Sequence, residues 1–483
     1  METEQELSLG EIKKRLVSSF MSLTARQIAL RAISFISLNV ILAKILPVET
    51  LGIFNIATAV VTFFAFFSDV GLSASLIQKK TVVTGDDIKT VFTIQQFLVS
   101  ILSLVIFIGA PFIGNFYNLD EAGIWLVRIL GVSFFLSSLK VVPSVLLERQ
   151  LKFQPLVTVE IVETVIFNGL LIFLVLKGMG IGSFTVAALF RGLSGTMLLY
   201  ILAPAPIGFK IERAAAKQLL SFGIPYQTNN LLALLKDKLV PLVIARMVGA
   251  VGVGYITWAQ ALAFLPLEIM NMVIRITFPA YSRLQSDKVS LARAVEKSLF
   301  VTALLVYPAL FGLGAILPSV VSYVVSAKWQ PAVPAFYFFA FSTYWAVIST
   351  TFTNTLSAMG HIKTTLKLMV FWTAATWVLT PLLTIYFDFL GVAVSSFIIS
   401  FTSVITIIAL KRVLTIKVLN SVALPTAAST IMGVAVFFFA QNLVKDKLTL
   451  IAAIILGFIL YALIIGLFAG KKVLIEIKSI RNA

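Results

Sequence analysis

Fourteen runs of mostly apolar residues, each about 20 or more long, follow one another along this chain, and nothing else constrains its fold as strongly. A run of that length cannot leave its backbone polar groups bare in hydrocarbon. It satisfies them internally as a helix. The predicted spans are residues 18–46, 50–77, 88–113, 124–147, 155–176, 183–203, 218–248, 253–281, 291–317, 334–358, 364–387, 392–410, 421–441 and 448–468. Barrel strands would alternate over about 10 residues, whereas these runs are apolar on most sides. Charged residues make up only 12% of the chain, against roughly 25% in soluble proteins, too few for a charged skin around a fold of 483 residues. A cytosolic enzyme, a disordered chain and a disulfide scaffold are excluded. The connections are short and leave no room for a soluble domain.

With no cysteine and the single histidine His361, thiolate, iron–sulfur and histidine-cluster metal sites are excluded. The net charge of +17 is not arranged as a basic run interleaved with aromatics, so no nucleic-acid partner is expected. It follows the spans instead. Placing the N-terminus inside puts 24 of the 38 Lys and Arg residues on the cytoplasmic side and six outside. This is a positive-inside pattern that predicts both termini in the cytoplasm. Glu2, Glu4 and Glu6 precede a first run too long for a signal core, so no cleavable leader is expected. Trp125, Trp258 and Trp329 fall near the outer ends of spans and read as an interfacial belt.

The chain also repeats itself. Ala43–Phe54 aligns without gaps on Ala245–Ile256, matching Ala43 to Ala245, Lys44 to Arg246 and Gly52 to Gly254. Gly180–Phe190 matches Phe389–Ile399, with Gly182 on Gly391. Each repeat holds six spans. An even number makes the repeats parallel, the arrangement expected of alternating access around a midplane site. The expected organisation is a cytoplasmic segment (1–17), an N-lobe (18–212), a C-lobe (213–415), and spans 13 and 14 with a cytoplasmic tail (416–483). Gly249, Gly252 and Gly254 lack the strand and the Lys-Ser/Thr of a phosphate loop and read as tight packing at the turn between spans 7 and 8.

Thirteen ionisable residues lie inside the spans. Eight are cations (Arg26, Arg31, Arg128, Lys140, Arg191, Lys236, Lys238, Arg275) and five are anions (Asp69, Glu160, Glu163, Asp237, Glu268). Each costs about 2.5–3.5 kcal/mol at a span centre, so they must face one another or a wet cavity. All fall in spans 1–8. At 100° per residue, Thr62, Asp69 and Ser73 share a stripe on span 2, Glu160 and Glu163 are neighbours on span 5, and Glu268, Asn271 and Arg275 share a stripe on span 8. Pairing of Asp69 with Arg26, and of Lys140 with Glu160 or Glu163, would make some of these charges structural. The surplus of three cations calls for an anionic ligand, and the arginine fork suits phosphate. Pro225, Pro241 and Pro266 bracket the charged stretches of spans 7 and 8 and predict kinks there.

The segments LPVETLG (Leu46–Gly52), FFSDVGLSASLIQKK (Phe66–Lys80) and LLERQLKF (Leu146–Phe153) resemble the polysaccharide flippases of the multidrug/oligosaccharidyl-lipid/polysaccharide exporter superfamily, nearest the Wzx-type transporters. The resemblance covers spans 1–12, and the last two spans resemble the fourteen-helix layout of the lipid II flippase branch. It implies an all-α integral membrane fold: two parallel six-helix lobes in a V around a central cationic cavity, plus two extra C-terminal helices. It implies transfer of an undecaprenyl-diphosphate-linked oligosaccharide from the inner to the outer leaflet of a bacterial or archaeal cytoplasmic membrane, for O-antigen, capsule or exopolysaccharide assembly. Partners would be the lipid-linked oligosaccharide, membrane lipids and a glycan polymerase. On this view Arg26, Arg31, Lys140, Arg191, Lys238 and Arg275 hold the diphosphate or glycan. Asp69, Glu160, Glu163, Asp237 and Glu268 are the candidates for coupling to H+ or Na+ or for gating, with no other cofactor. The alternative is a multidrug antiporter of the same superfamily, which would need an acidic cavity for organic cations.

Overall fold

The computed structural model describes residues 29–79, 83–150, 152–204, 208–229, 234 and 239–481. Among them there is no strand, and twelve helices are long and apolar enough to cross a membrane. The first part of the first predicted span (residues 18–28, with Arg26), and Lys236, Asp237 and Lys238, lie outside the described residues.

The chain divides into two compact units, Met1–Leu234 and Leu235–Ala483. In the first, α1 (residues 29–45) carries a π-helical stretch at Ser37–Leu42 and is followed by α2 (Val48–Ala65) and the short α3 (Leu72–Gln78). Next come α4 (Gly85–Tyr117), α5 (Glu121–Ser138), α6 (Val141–Arg149), α7 (Gln154–Leu176), α8 (Gly182–Leu202) and α9 (Arg213–Asn229). Helix α8 packs on α5 and α7, α5 on α2 and α4, and α9 on α3. The sequence reading begins its second lobe at residue 213, yet α9 is part of the first compact unit.

Span 2 does not continue as one helix. It breaks between Ala65 and Leu72, where Val70 and Gly71 take positive φ (47° and 75°). The break fits closely against α9. A methyl on Gly71 would fall 2.7 Å from the Gly223 Cα, and Gln227 Nε2 donates to the Phe66 carbonyl at 2.6 Å. The stripe joining Thr62, Asp69 and Ser73 is therefore not a single helical face, because the 100° rule fails across the break.

In the second unit, α10 (Val240–Phe264) contains the non-helical Gly249 (φ 67°, ψ −177°). Two helical pieces meet there, as the predicted turn between spans 7 and 8 requires. At the shared offset of 202, Gly249 aligns with Pro47, which interrupts the helices of the first repeat at the equivalent point in an extended conformation. Helix α11 (Leu267–Leu284) follows after a kink at Leu265–Pro266. Then come α12 (Lys288–Val320), α13 (Ala332–Ala358), α14 (Ile362–Phe387), α15 (Leu390–Ser400), α16 (Ser403–Lys411), α17 (Val418–Leu443) and α18 (Lys447–Arg481). Leu291, Val295, Leu299, Ala303, Val306 and Leu310 recur every three to four residues on α12, and this buried stripe faces Val347, Phe352 and Leu356 of α13. The last two helices pack on α12, so the extra pair extends this unit.

Only one of the three tryptophans behaves as an interfacial residue. Trp125 is 46% exposed, with the Arg128 guanidinium 4.8 Å from its ring. Trp258 and Trp329 are buried and stack on each other with ring centroids 5.0 Å apart. Position along a span gives depth, but it does not tell whether a neighbouring helix covers the ring.

Candidate functional site

In the first unit the polar interior is built around a break in span 4. Helix α5 ends at Ser138, and α6 starts at Val141. Pro143 has no N–H to give the Leu139 carbonyl four residues back, and Tyr200 Oη donates to it instead at 2.7 Å. The neighbouring carbonyls of Leu136 and Phe135 take hydrogen bonds from Thr196 Oγ1 and Ser138 Oγ, both at 2.7 Å. Three carbonyls at the break are thus capped from α8 and from within. It carries Lys140 at its centre.

Lys140 Nζ pairs with the Glu163 carboxylate of α7. Lys140 lies nine residues from Arg149 at the end of α6, and Glu163 lies nine from Gln154 at the start of α7. Both are therefore about 14 Å in from the same turn, at one depth. Glu163 is buried, and its carboxylate lies over Gly195 of α8, where any larger side chain would overlap it. One helical turn further along, the Arg191 guanidinium lies over the Phe167 ring, 5.5 Å from its centroid. Helices α7 and α8 are antiparallel here, Glu163 meeting Gly195 and Phe167 meeting Arg191. Asn168, also buried, donates to the Thr164 carbonyl at 2.8 Å and reaches Ser34 of α1 at 3.4 Å.

Thus Lys140 and Glu163 come together in the first unit, and Arg191, exposed, lies one turn along α8 on the Phe167 ring. Glu160 is exposed, one turn back on α7. Arg31 is exposed on α1. Asp69 sits in the break of span 2 and accepts from Ser73 N (3.0 Å) and Ser73 Oγ (2.8 Å), closing the start of α3. In the second unit, Glu268 lies in the first turn of α11, and Arg275 is exposed two turns on. Arg275 makes no hydrogen bond or ion pair to the described residues. Arg128, counted in the sequence as an interior cation, is taken up between Trp125 and Phe107. Among the described residues, no group of three His, Asp or Glu side chains could hold a metal.

Sequence reasoning missed the uncharged partners: Gly195, Thr196, Tyr200 and the buried Gln95 and Gln96 of α4, the latter accepting from Ser138 Oγ at 3.1 Å. The glutamine pair inside an apolar run was the available signal. The second unit also holds an apolar cleft of about 800 Å³ between α12, α13 and α17, lined by Phe311, Phe336, Phe341, Trp345, Val434 and Phe437 among others.

The polysaccharide biosynthesis protein family model matches residues 41–334. The teichuronic acid biosynthesis protein TuaB of Bacillus subtilis is 25% identical over 272 residues, 55% of each chain. The lipopolysaccharide biosynthesis protein WzxC of Escherichia coli is 24% identical over 310 residues, 61% of this chain and 60% of its own. These matches span about half to two thirds of the relatives' lengths. The lipid II flippase MurJ in an inward closed conformation superposes with a TM-score of 0.76 at 14% identity, covering 94% of this chain and all of that one. An inward-facing multidrug resistance MATE family transporter of the MOP superfamily shares the fold at a TM-score of 0.61 and 15% identity, covering 79% of this chain and 95% of that one. By its matched residues, this chain belongs to the polysaccharide biosynthesis protein family.

Proposed function

We propose that the protein is a flippase that moves an undecaprenyl-diphosphate-linked oligosaccharide from the inner to the outer leaflet of the cytoplasmic membrane, for O-antigen, capsule or exopolysaccharide assembly. It has fourteen spans, with both termini cytoplasmic. Two six-span lobes give alternating access to the substrate, and a glycan polymerase takes the product. One observation carries the reading: the interior of the first unit seats Lys140 on the buried carboxylate of Glu163, with a further cation, Arg191, one helical turn along against Phe167. An excess of cation inside a membrane fold suits a phosphate and disfavours an organic cation. Family membership, the transport and biosynthesis names of the relatives, and the lipid II flippase fold support the same reading.

Arg31, Lys140, Arg191 and Arg275 are the proposed diphosphate or glycan ligands among the described residues, with Arg26 and Lys238 proposed from the sequence. A hydrogen bond to a charged group is worth about 1.5–3 kcal/mol, so losing one guanidinium should slow export roughly tenfold to a hundredfold. The test is complementation of glycan export by Arg31→Ala and Arg275→Ala, checked for membrane insertion. Export at the unsubstituted level by both variants would refute the phosphate reading.

A further inference from the structure

The interior of the first unit holds a buried carboxylate, Glu163, paired with the ammonium of Lys140. A lipid-linked sugar diphosphate is a diester and carries two negative charges. If a phosphate takes the Lys140 ammonium, an ionised Glu163 is left as an uncompensated charge in a low-dielectric interior, at a cost of several kcal/mol. One proton on Glu163 removes that cost. We infer that Lys140 and Glu163 are an exchangeable counter-ion pair: the carboxylate holds the ammonium until a phosphate does, and Glu163 then takes up a proton. This rests on the lipid-diphosphate reading above.

The geometry gives the two partners unequal freedom. The Glu163 side chain is 7% exposed and fixed over Gly195, so it cannot follow a departing partner. Lys140 is 20% exposed, stands at a helix break and carries its charge on a flexible four-carbon stem. The lysine can turn while the carboxylate stays. The other charged groups on the elements packed against α7 are few. Arg191 lies one turn along α8, Arg31 lies on α1, and Arg128 is engaged by Trp125 at the far end of α5. Arg149 donates to the Leu76 carbonyl at the far end of α6, beside the exposed Glu148; Glu121 opens α5 and Lys44 closes α1, both at the opposite ends of their helices, and on α7 itself Glu160 is exposed one turn back. None is a second carboxylate facing Lys140. Polar atoms suited to water lie on both sides of the pair. Gln95 Oε1, Gln96 Nε2 and Asn168 Oδ1 are buried without a hydrogen-bond partner among the described residues, and Gln96 is joined to Ser138, two residues from Lys140. Chains of such groups hold internal water that can deliver a proton.

The test uses the full-length protein in two arms. In the first, inorganic pyrophosphate is titrated calorimetrically into purified wild type and Glu163→Gln, in buffers of different ionisation heat at one pH. Wild type should take up about one more proton per pyrophosphate than the variant, the anion's own titration cancelling in the comparison. In the second, translocation of a prenyl-diphosphate oligosaccharide is measured in liposomes against pH. Lys140→Gln with Glu163→Gln gives a neutral pair that keeps a hydrogen bond. It should fold, lose the pH dependence and flip at least about tenfold more slowly. A neutral pair that flips at the wild-type rate with the wild-type pH profile, or equal proton uptake by wild type and Glu163→Gln, would overturn the exchange and leave the flippase reading standing. A wild type that neither binds pyrophosphate nor moves the lipid would overturn both.

Discussion

Replacing Gly71 with alanine tests the broken second span at its tightest point. Two costs add. Gly71 has φ 75°, a left-handed conformation that costs an L-residue about 1–2 kcal/mol. The added methyl would also lie 2.7 and 2.8 Å from the Cα and carbonyl carbon of Gly223, both backbone atoms that cannot rotate aside. Overpacking of this kind costs about 1–3 kcal/mol. The expected loss is about 2–5 kcal/mol. Two controls separate the terms. Gly178 has φ 83° with open space around its Cβ position, so Gly178→Ala should lose only the conformational part, about 1–2 kcal/mol. Gly85, at the start of α4, has neither positive φ nor a close neighbour, and Gly85→Ala should change stability by less than about 0.5 kcal/mol. The assay is reversible unfolding in mixed micelles with rising dodecyl sulfate, followed by circular dichroism. If Gly71→Ala lost no more than Gly178→Ala, the close approach of the span 2 break to α9 would be refuted.

Other consequences follow from single contacts. Tyr200→Phe leaves the Leu139 carbonyl without its donor at the break of span 4 and should cost about 1–3 kcal/mol in the same unfolding assay; no change would mean another group caps the break. Trp329→Ala, in the buried stack with Trp258, should cost about 3–5 kcal/mol, whereas Trp125→Ala should cost under about 1 kcal/mol; similar losses would restore the interfacial reading of both. Asp287, at the start of α12, is held below its ordinary value of 3.8 by hydrogen bonds from Ser290, with Val289 N–H and Arg293 adding to the effect. Its contribution is complete above that value and is lost as pH falls through the lowered one, so acid should loosen the start of α12 in the wild type and leave Asp287→Asn unaffected, as read by hydrogen exchange.

The sequence alone carried the features that depend on local composition. Apolar runs longer than a bilayer's width mark helices wherever their neighbours lie, because hydrocarbon leaves the backbone no other partner. The break at Pro47 and its counterpart at Gly249 was also legible, since a repeat keeps its turns at matching positions. The charges inside the spans were visible as liabilities, and the Lys140–Glu163 pair was among the pairings that depth permits. Which pairing formed was not legible. It depended on Pro143 and three hydroxyls opening span 4 at Lys140, and on Gly195 leaving a space that only a neighbouring helix could turn into a seat for a carboxylate. The same holds for Arg128 over Trp125, for the hidden tryptophans and for the interruption of span 2 against Gly223. Period and depth follow from one helix at a time. The neutralisation of a charge or the covering of a ring depends on close packing between helices distant in sequence, and that is fixed only when the chain is folded.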